Sequence, residues 1–183
     1  MKESGTQKIV LTAVMAAVLC VLAPLSVPIG PVPISLATFV IFITVYVLGM
    51  KRGTLAVLIY LLIGLAGVPV FSGYSAGPAK LLGPTGGYLI GYIPMALITG
   101  AVIDRFSQKL LPSIGGMVVA TVVLYALGTA WLAVSAHMTF GAALAAGVIP
   151  FVGLDFLKIV AAALAGPVLK KAMVKAGVAS AAA

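Results

Sequence analysis

Charge is what this sequence has least of. Of its 183 residues only 8% are charged, and just three are acidic, Glu3, Asp104 and Asp155. It has one cysteine, Cys20, and one histidine, His137. Each shortage excludes a class of function. A soluble domain carries about 25% charged residues, so a soluble globular protein is excluded. Cys20 alone can form no internal disulfide and no thiolate metal set, and reads as a small apolar packing residue. An aspartyl dyad needs two facing carboxylates, whereas Asp104 and Asp155 fall at opposite ends of the helices assigned below. Serine chemistry would need His137 as base, and no serine sits in a recognisable nucleophile elbow. Metal catalysis lacks ligands, since Glu3 is terminal and the other candidates stand singly. No enzyme activity, metal or cofactor is expected.

Apolar sequence is what there is. Hydrophobic residues make up 63% of the chain, and mean hydropathy is +1.28. Runs bounded by Gly, Pro or charge fall at Ile9 to Ala23, Ile34 to Gly49, Thr54 to Ala66, Gly86 to Ile103, Ile114 to Ala136 and Pro150 to Leu169. The expected fold is therefore all-α, an integral membrane bundle of six transmembrane helices. The chain, 1–183, reads as one membrane-embedded domain, with 176–183 a tail that frays. Lys2 and Lys8 ahead of the first run mimic a signal peptide, but Leu19 before Cys20 does not suit lipoprotein processing and no soluble domain follows. The run is read as a retained first span.

The sparse charges test that count. With six spans both termini share one side, and Lys2, Lys8, Lys51, Arg52, Arg105, Lys109, Lys170, Lys171 and Lys175 share it with them. Only Lys80 falls in a loop on the other side. The positive-inside rule makes the basic side cytoplasmic, and the basic residues form no stripe for nucleic acid. The opposite loops are long, rich in Gly and Pro and nearly uncharged, as in APLSVPIGPVPIS (23–35). They read as a lid over a pocket that opens outward.

One exception to the shortage of charge is informative. PFVGLDFLK (150–158) places Asp155 and Lys158 inside an apolar run. Pro150 suits the first turn of a helix, and the i, i+3 spacing puts both side chains on one face. Each would cost about 3 kcal/mol against lipid, so that face points into protein or a wet cavity. A self-neutralising pair that pins the bundle is one reading. The other is a site for a small, mostly apolar ligand with a strongly polar head, walled by aromatics such as Phe71, Tyr74, Tyr88, Trp131 and Phe151. The glycine-rich stretch from Gly67 to Gly91 would let backbone approach that ligand closely. It lacks the lysine followed directly by Ser or Thr that a phosphate loop needs. On the first helix, Ala13 with Ala17 and Ala16 with Cys20 are small residues four apart. They serve either packing inside the bundle or docking of a partner.

GLAGVPVF (64–71), LLGPTGGYLIGY (81–92) and PFVGLDFLK (150–158) together resemble the BioY family, the biotin-specific S components of energy-coupling factor (ECF) transporters. The resemblance covers nearly the whole chain. It implies high-affinity biotin binding and uptake across the cytoplasmic membrane of a bacterium or archaeon. It implies an outward-facing pocket with Asp155, Lys158, Phe71, Tyr74, Gly83, Pro84, Thr85, Gly86, Gly87 and Tyr88 as substrate-binding residues. Asp155 would accept a ureido N–H and Lys158 would donate to the ureido oxygen, with a role for Lys158 at the carboxylate as the alternative. It also implies docking through Ala13 and Ala17 onto a transmembrane coupling subunit, served by two cytoplasmic ATPases. An S component for another vitamin, or a carrier needing no ATPase, are the competing readings.

Overall fold

The computed structural model describes residues 4–179; Lys2, Glu3 and the last part of the tail, 180–183, lie outside the described residues. Among the described residues there are seven helices and one short hairpin: α1 (Gly5–Leu22), β1 (Ser26–Val27), β2 (Ile34–Ser35), α2 (Ala37–Leu65), α3 (Pro78–Leu82), α4 (Gly86–Arg105), α5 (Leu110–Ser135), α6 (Phe140–Gly147) and α7 (Val152–Lys175). Five of them, α1, α2, α4, α5 and α7, are long and apolar enough to cross a membrane. Against the six helices expected, two of the predicted runs lie in one element. The runs Ile34 to Gly49 and Thr54 to Ala66 are both in the 29-residue α2.

That element is not straight. Gly49 has φ 75 and ψ 179, a conformation essentially confined to glycine. Across it the chain doubles back: a Cβ on Gly53 would lie 3.0 Å from the Val45 Cα. Eight residues of unbroken helix would hold these positions about 12 Å apart. Contacts at the two ends agree. The turn at Gly49 sits beside the far ends of α4 and α7, because the Met50 N–H donates to Asp104 Oδ2 at 2.9 Å and Lys170 Nζ donates to the Val47 carbonyl at 2.7 Å. Both ends of α2 meet at the other end of the bundle. Gly64 accepts from Gly77 N–H, Gly73 N–H reaches Pro24, and Leu36 N–H reaches Leu25.

Polar glue is scarce in so apolar a chain, so the helices pack by close approach of small residues. Gly91 sits under Leu124 and Gly128 under Tyr88 where α4 meets α5, and Gly166 sits under Tyr46 where α7 meets α2; a Cβ at any of them would overlap the facing side chain. α2 lies at the centre, against α1, α4 and α7. Its Ile41, Phe42, Tyr46 and Tyr60 are fully buried.

The hairpin, the segment 66–85 and α6 all lie at the end away from Gly49. α6 was not anticipated: eight residues are too short to span, and Thr139 caps it by accepting from Ala142 N–H. Pro150 needs a correction as well. α7 starts at Val152 after a turn, so Pro150 precedes the helix and Asp155 falls in its first turn.

Candidate functional site

The first turn of α7 supplies the centre of the site. Lys158 Nζ lies 2.8 Å from Asp155 Oδ1. An acid in a first turn is favoured by the exposed N–H groups and dipole of the helix. Asp155 is nine-tenths buried, and both residues are held by other parts of the chain. Lys158 also donates to the Ser35 carbonyl at 2.8 Å and to Thr38 Oγ1 at 3.3 Å, so all three of its N–H donors have partners. Thr38 in turn donates to Asp155 Oδ1 at 3.4 Å. On the far side, the Tyr125 hydroxyl donates to Asp155 Oδ2 at 2.7 Å. Helices α2, α5 and α7 and the strand β2 thus converge on one carboxylate and one ammonium.

These groups face a cavity with about 510 Å3 of open space, counting its mouth. Its wall includes Val32, Pro33 and Ser35 from the hairpin, Ser72 from the following loop, Thr85, Tyr88, Leu89 and Tyr92 from α4 and its approach, and Phe151 ahead of α7. Thr85 is buried and lines the cavity, and its hydroxyl has no hydrogen-bond partner. Thr44, Thr99 and Ser113 share that state away from the cavity, so what marks Thr85 is its place in the wall.

The predicted site residues divide into two groups. Asp155, Lys158, Thr85 and Tyr88 are brought together around the cavity. Tyr88 also donates to the Gly147 carbonyl at 2.9 Å, which ties α6 over the site. Gly83, Pro84, Gly86 and Gly87 do not line it. Gly83 accepts from Trp131 Nε1 at 2.9 Å, while Gly86 and Gly87 press against Leu81 and Trp131, where a Cβ would overlap. These three glycines seat the start of α4 against α5. Phe71 is fully buried, edge-on to Tyr60 with ring centroids 5.7 Å apart, and Tyr74 is 63% exposed. Neither reaches the cavity wall. Of the other aromatics expected there, Phe151 lines the wall and Trp131 acts one layer behind it.

Thr38, Tyr125, Ser35 and Tyr92 were not anticipated. The available signal was weak: a polar side chain inside an apolar run must face protein, but such a rule also selects threonines with no part in the site. On α1, Ala16 is buried and Ala13 and Ala17 are exposed, so the two pairs of small residues face different ways.

Comparison with known proteins agrees with the architecture. The family described as the BioY family matches residues 1–175. "Biotin transporter BioY" of Thermotoga maritima is 39% identical over 90% of this chain and 96% of its own length. "Biotin transporter BioY2" of Lactococcus lactis is 32% identical over 94% and 95%. "Probable biotin transporter BioY" of Pyrococcus horikoshii is 40% identical over 83% and 89%. Among solved structures, the S component for biotin from an ECF-type ABC transporter superposes with a TM-score of 0.84 at 26% identity, covering 93% of this chain and 95% of that one. With a family match over nearly its whole length and full-length relatives above 30% identity, the chain belongs to the BioY family.

Proposed function

We propose that this chain binds biotin and serves as the substrate-specific subunit of an ECF-type transporter, a transport protein rather than an enzyme. The observation that carries the reading is the Asp155–Lys158 pair, set in an otherwise apolar chain and turned toward an open-mouthed cavity. Biotin offers a ureido ring with two N–H donors and one carbonyl on a compact apolar bicycle. Asp155 accepts a ureido N–H, and Lys158 donates to the ureido oxygen. Because the donors of Lys158 are all engaged, a ligand oxygen replaces one partner, and the Ser35 carbonyl is the one carried by the β1–β2 hairpin. Binding thereby exchanges a tether of the hairpin for a contact to the ligand. Thr85, with its unmatched hydroxyl, offers a further polar contact.

The two arms of α2 cross the membrane separately, giving six crossings with the start of α1 and the end of α7 at the Gly49 end. Lys51, Arg52, Arg105, Lys109, Lys170 and Lys171 cluster around that end in the chain order, and Lys80 on α3 lies at the other. The excess of basic residues makes the Gly49 end cytoplasmic and the cavity outward-facing. The lids are the hairpin, the segment 66–85 and α6. Ala13 and Ala17, exposed on α1 beside Val10 and Val14, form the docking face for a transmembrane coupling subunit, which links the chain to two ATPases. Small residues there let a partner helix approach closely. Ala13→Trp or Ala17→Trp is expected to leave biotin binding intact and abolish assembly with the coupling subunit; co-purification of both variants with it would overturn the docking assignment.

Calorimetric titration of the detergent-purified protein with biotin, thiamine and riboflavin tests the substrate. Tight binding of biotin alone is expected. Failure of folded protein to bind biotin, or tighter binding of another vitamin, would overturn it.

A further inference from the structure

A second cavity lies beside the first, and the two differ in chemistry. It is an open groove of about 490 Å3 between α5, α6 and α7, walled by Val118, Val122, Leu144, Val148, Phe156 and Ile159 among others. Several of these side chains are exposed on the flank of the bundle, Val122 at 60% and Phe156 at 56%. The walls of the two cavities have only Tyr125 and Asp155 in common. Tyr125 therefore stands at the partition between a polar site and an apolar groove, with its hydroxyl on Asp155 Oδ2 at 2.7 Å.

We propose that Tyr125 is a specificity-determining residue of the ligand site, whose ring closes the space beside Asp155 and so admits only a cyclic urea bearing hydrogen on the nitrogen that faces this carboxylate. The inference rests on the ureido assignment of Asp155 made above. Asp155 is held on both oxygens, by Lys158 and Thr38 on Oδ1 and by Tyr125 on Oδ2. The carboxylate cannot turn away from a badly matched ligand without giving up one of these bonds. A substituent on the facing nitrogen removes the N–H that Asp155 would accept and needs volume at the partition. With the ring removed, that volume opens into the apolar groove, which suits an alkyl group.

The test compares biotin with biotin methylated at either ring nitrogen, titrated into wild type, Tyr125→Phe and Tyr125→Ala. Wild type is expected to bind biotin at least tenfold more tightly than one methylated isomer. Tyr125→Phe keeps the ring and loses the hydroxyl, so biotin weakens several-fold while the preference stays. Tyr125→Ala is expected to reduce the preference at least tenfold for the isomer whose methyl faces Asp155. Tyr125→Leu, which retains apolar burial, should reduce it in the same direction and serves if the alanine variant does not fold. A purely structural role would weaken both ligands equally. An unchanged preference in folded Ala and Leu variants, or no preference in wild type, overturns the proposal. If Asp155→Asn leaves biotin affinity unchanged, the ureido assignment itself falls and this inference with it; failure of the preference test alone leaves that assignment standing.

Discussion

The two ends of the bundle use the same chemistry for different ends. At each, one aspartate and one lysine approach α2. At the cavity end, Asp155 and Lys158 bond each other and face open space. At the Gly49 end, Asp104 accepts from the Met50 N–H and Lys170 donates to the Val47 carbonyl, so each reaches a backbone group beside the reversal. A glycine turn inside apolar sequence exposes N–H and C=O groups that helix geometry no longer satisfies, and leaving them unmet is costly. Charge at the Gly49 end closes the fold. Charge at the cavity end lines open space, where the proposed ligand would meet it, and both uses have to be met by the few charged residues the chain has.

Substitutions can separate the two roles. The largest effect is expected from Asp155→Ala, which leaves the Lys158 ammonium in a largely buried place without its carboxylate. Loss of one partner of a buried pair costs about 3–5 kcal/mol, and biotin affinity should fall at least a hundredfold by calorimetry. Lys158→Ala should weaken binding at least tenfold, with thermal stability in detergent changed less than by the aspartate variant. At the other end the pattern reverses. Lys170→Met removes a buried donor from the Val47 carbonyl and is expected to destabilise the protein by about 1–3 kcal/mol, with biotin affinity within threefold of wild type. Gly49→Ala forces a side chain into a conformation worth about 1–3 kcal/mol of strain, and should lower the melting temperature with the same small effect on binding. Asp104→Asn, at an exposed position, is the mildest, about 1 kcal/mol or less. A cavity-like loss of affinity from Lys170→Met would break the division between the ends.

Much of this was legible in the sequence, and for physical reasons. Long apolar runs must be buried or face lipid, so the helical architecture followed from hydropathy. Asp155 and Lys158 stood out because their chemistry is costly where they lie, and their spacing on one helix made their pairing readable without tertiary information. The missing parts depend on distance along the chain. Ser35 and Thr38 reach Lys158 across 123 and 120 residues, and Tyr125 reaches Asp155 across 30. No local pattern marks such partners. The stretch GPTGGY is rich in glycine, which in sequence reads as backbone that approaches a ligand. In the fold, Gly86 and Gly87 instead admit Leu81 and Trp131, while Thr85 and Tyr88 between and beside them face the cavity. Glycine content announces close approach but not what approaches. The helix α6 escaped notice because a short apolar helix in a loop carries no period long enough to read.

In the proposed complex the Asp155 carboxylate holds a ureido N–H of biotin. That contact is tested most directly by titrating biotin into purified Asp155→Asn protein beside wild type, since asparagine keeps the shape and removes the charge. Binding at least tenfold weaker is expected in a variant that remains folded. Equal affinity for the two proteins would contradict it and leave the pair as a fastening of the bundle.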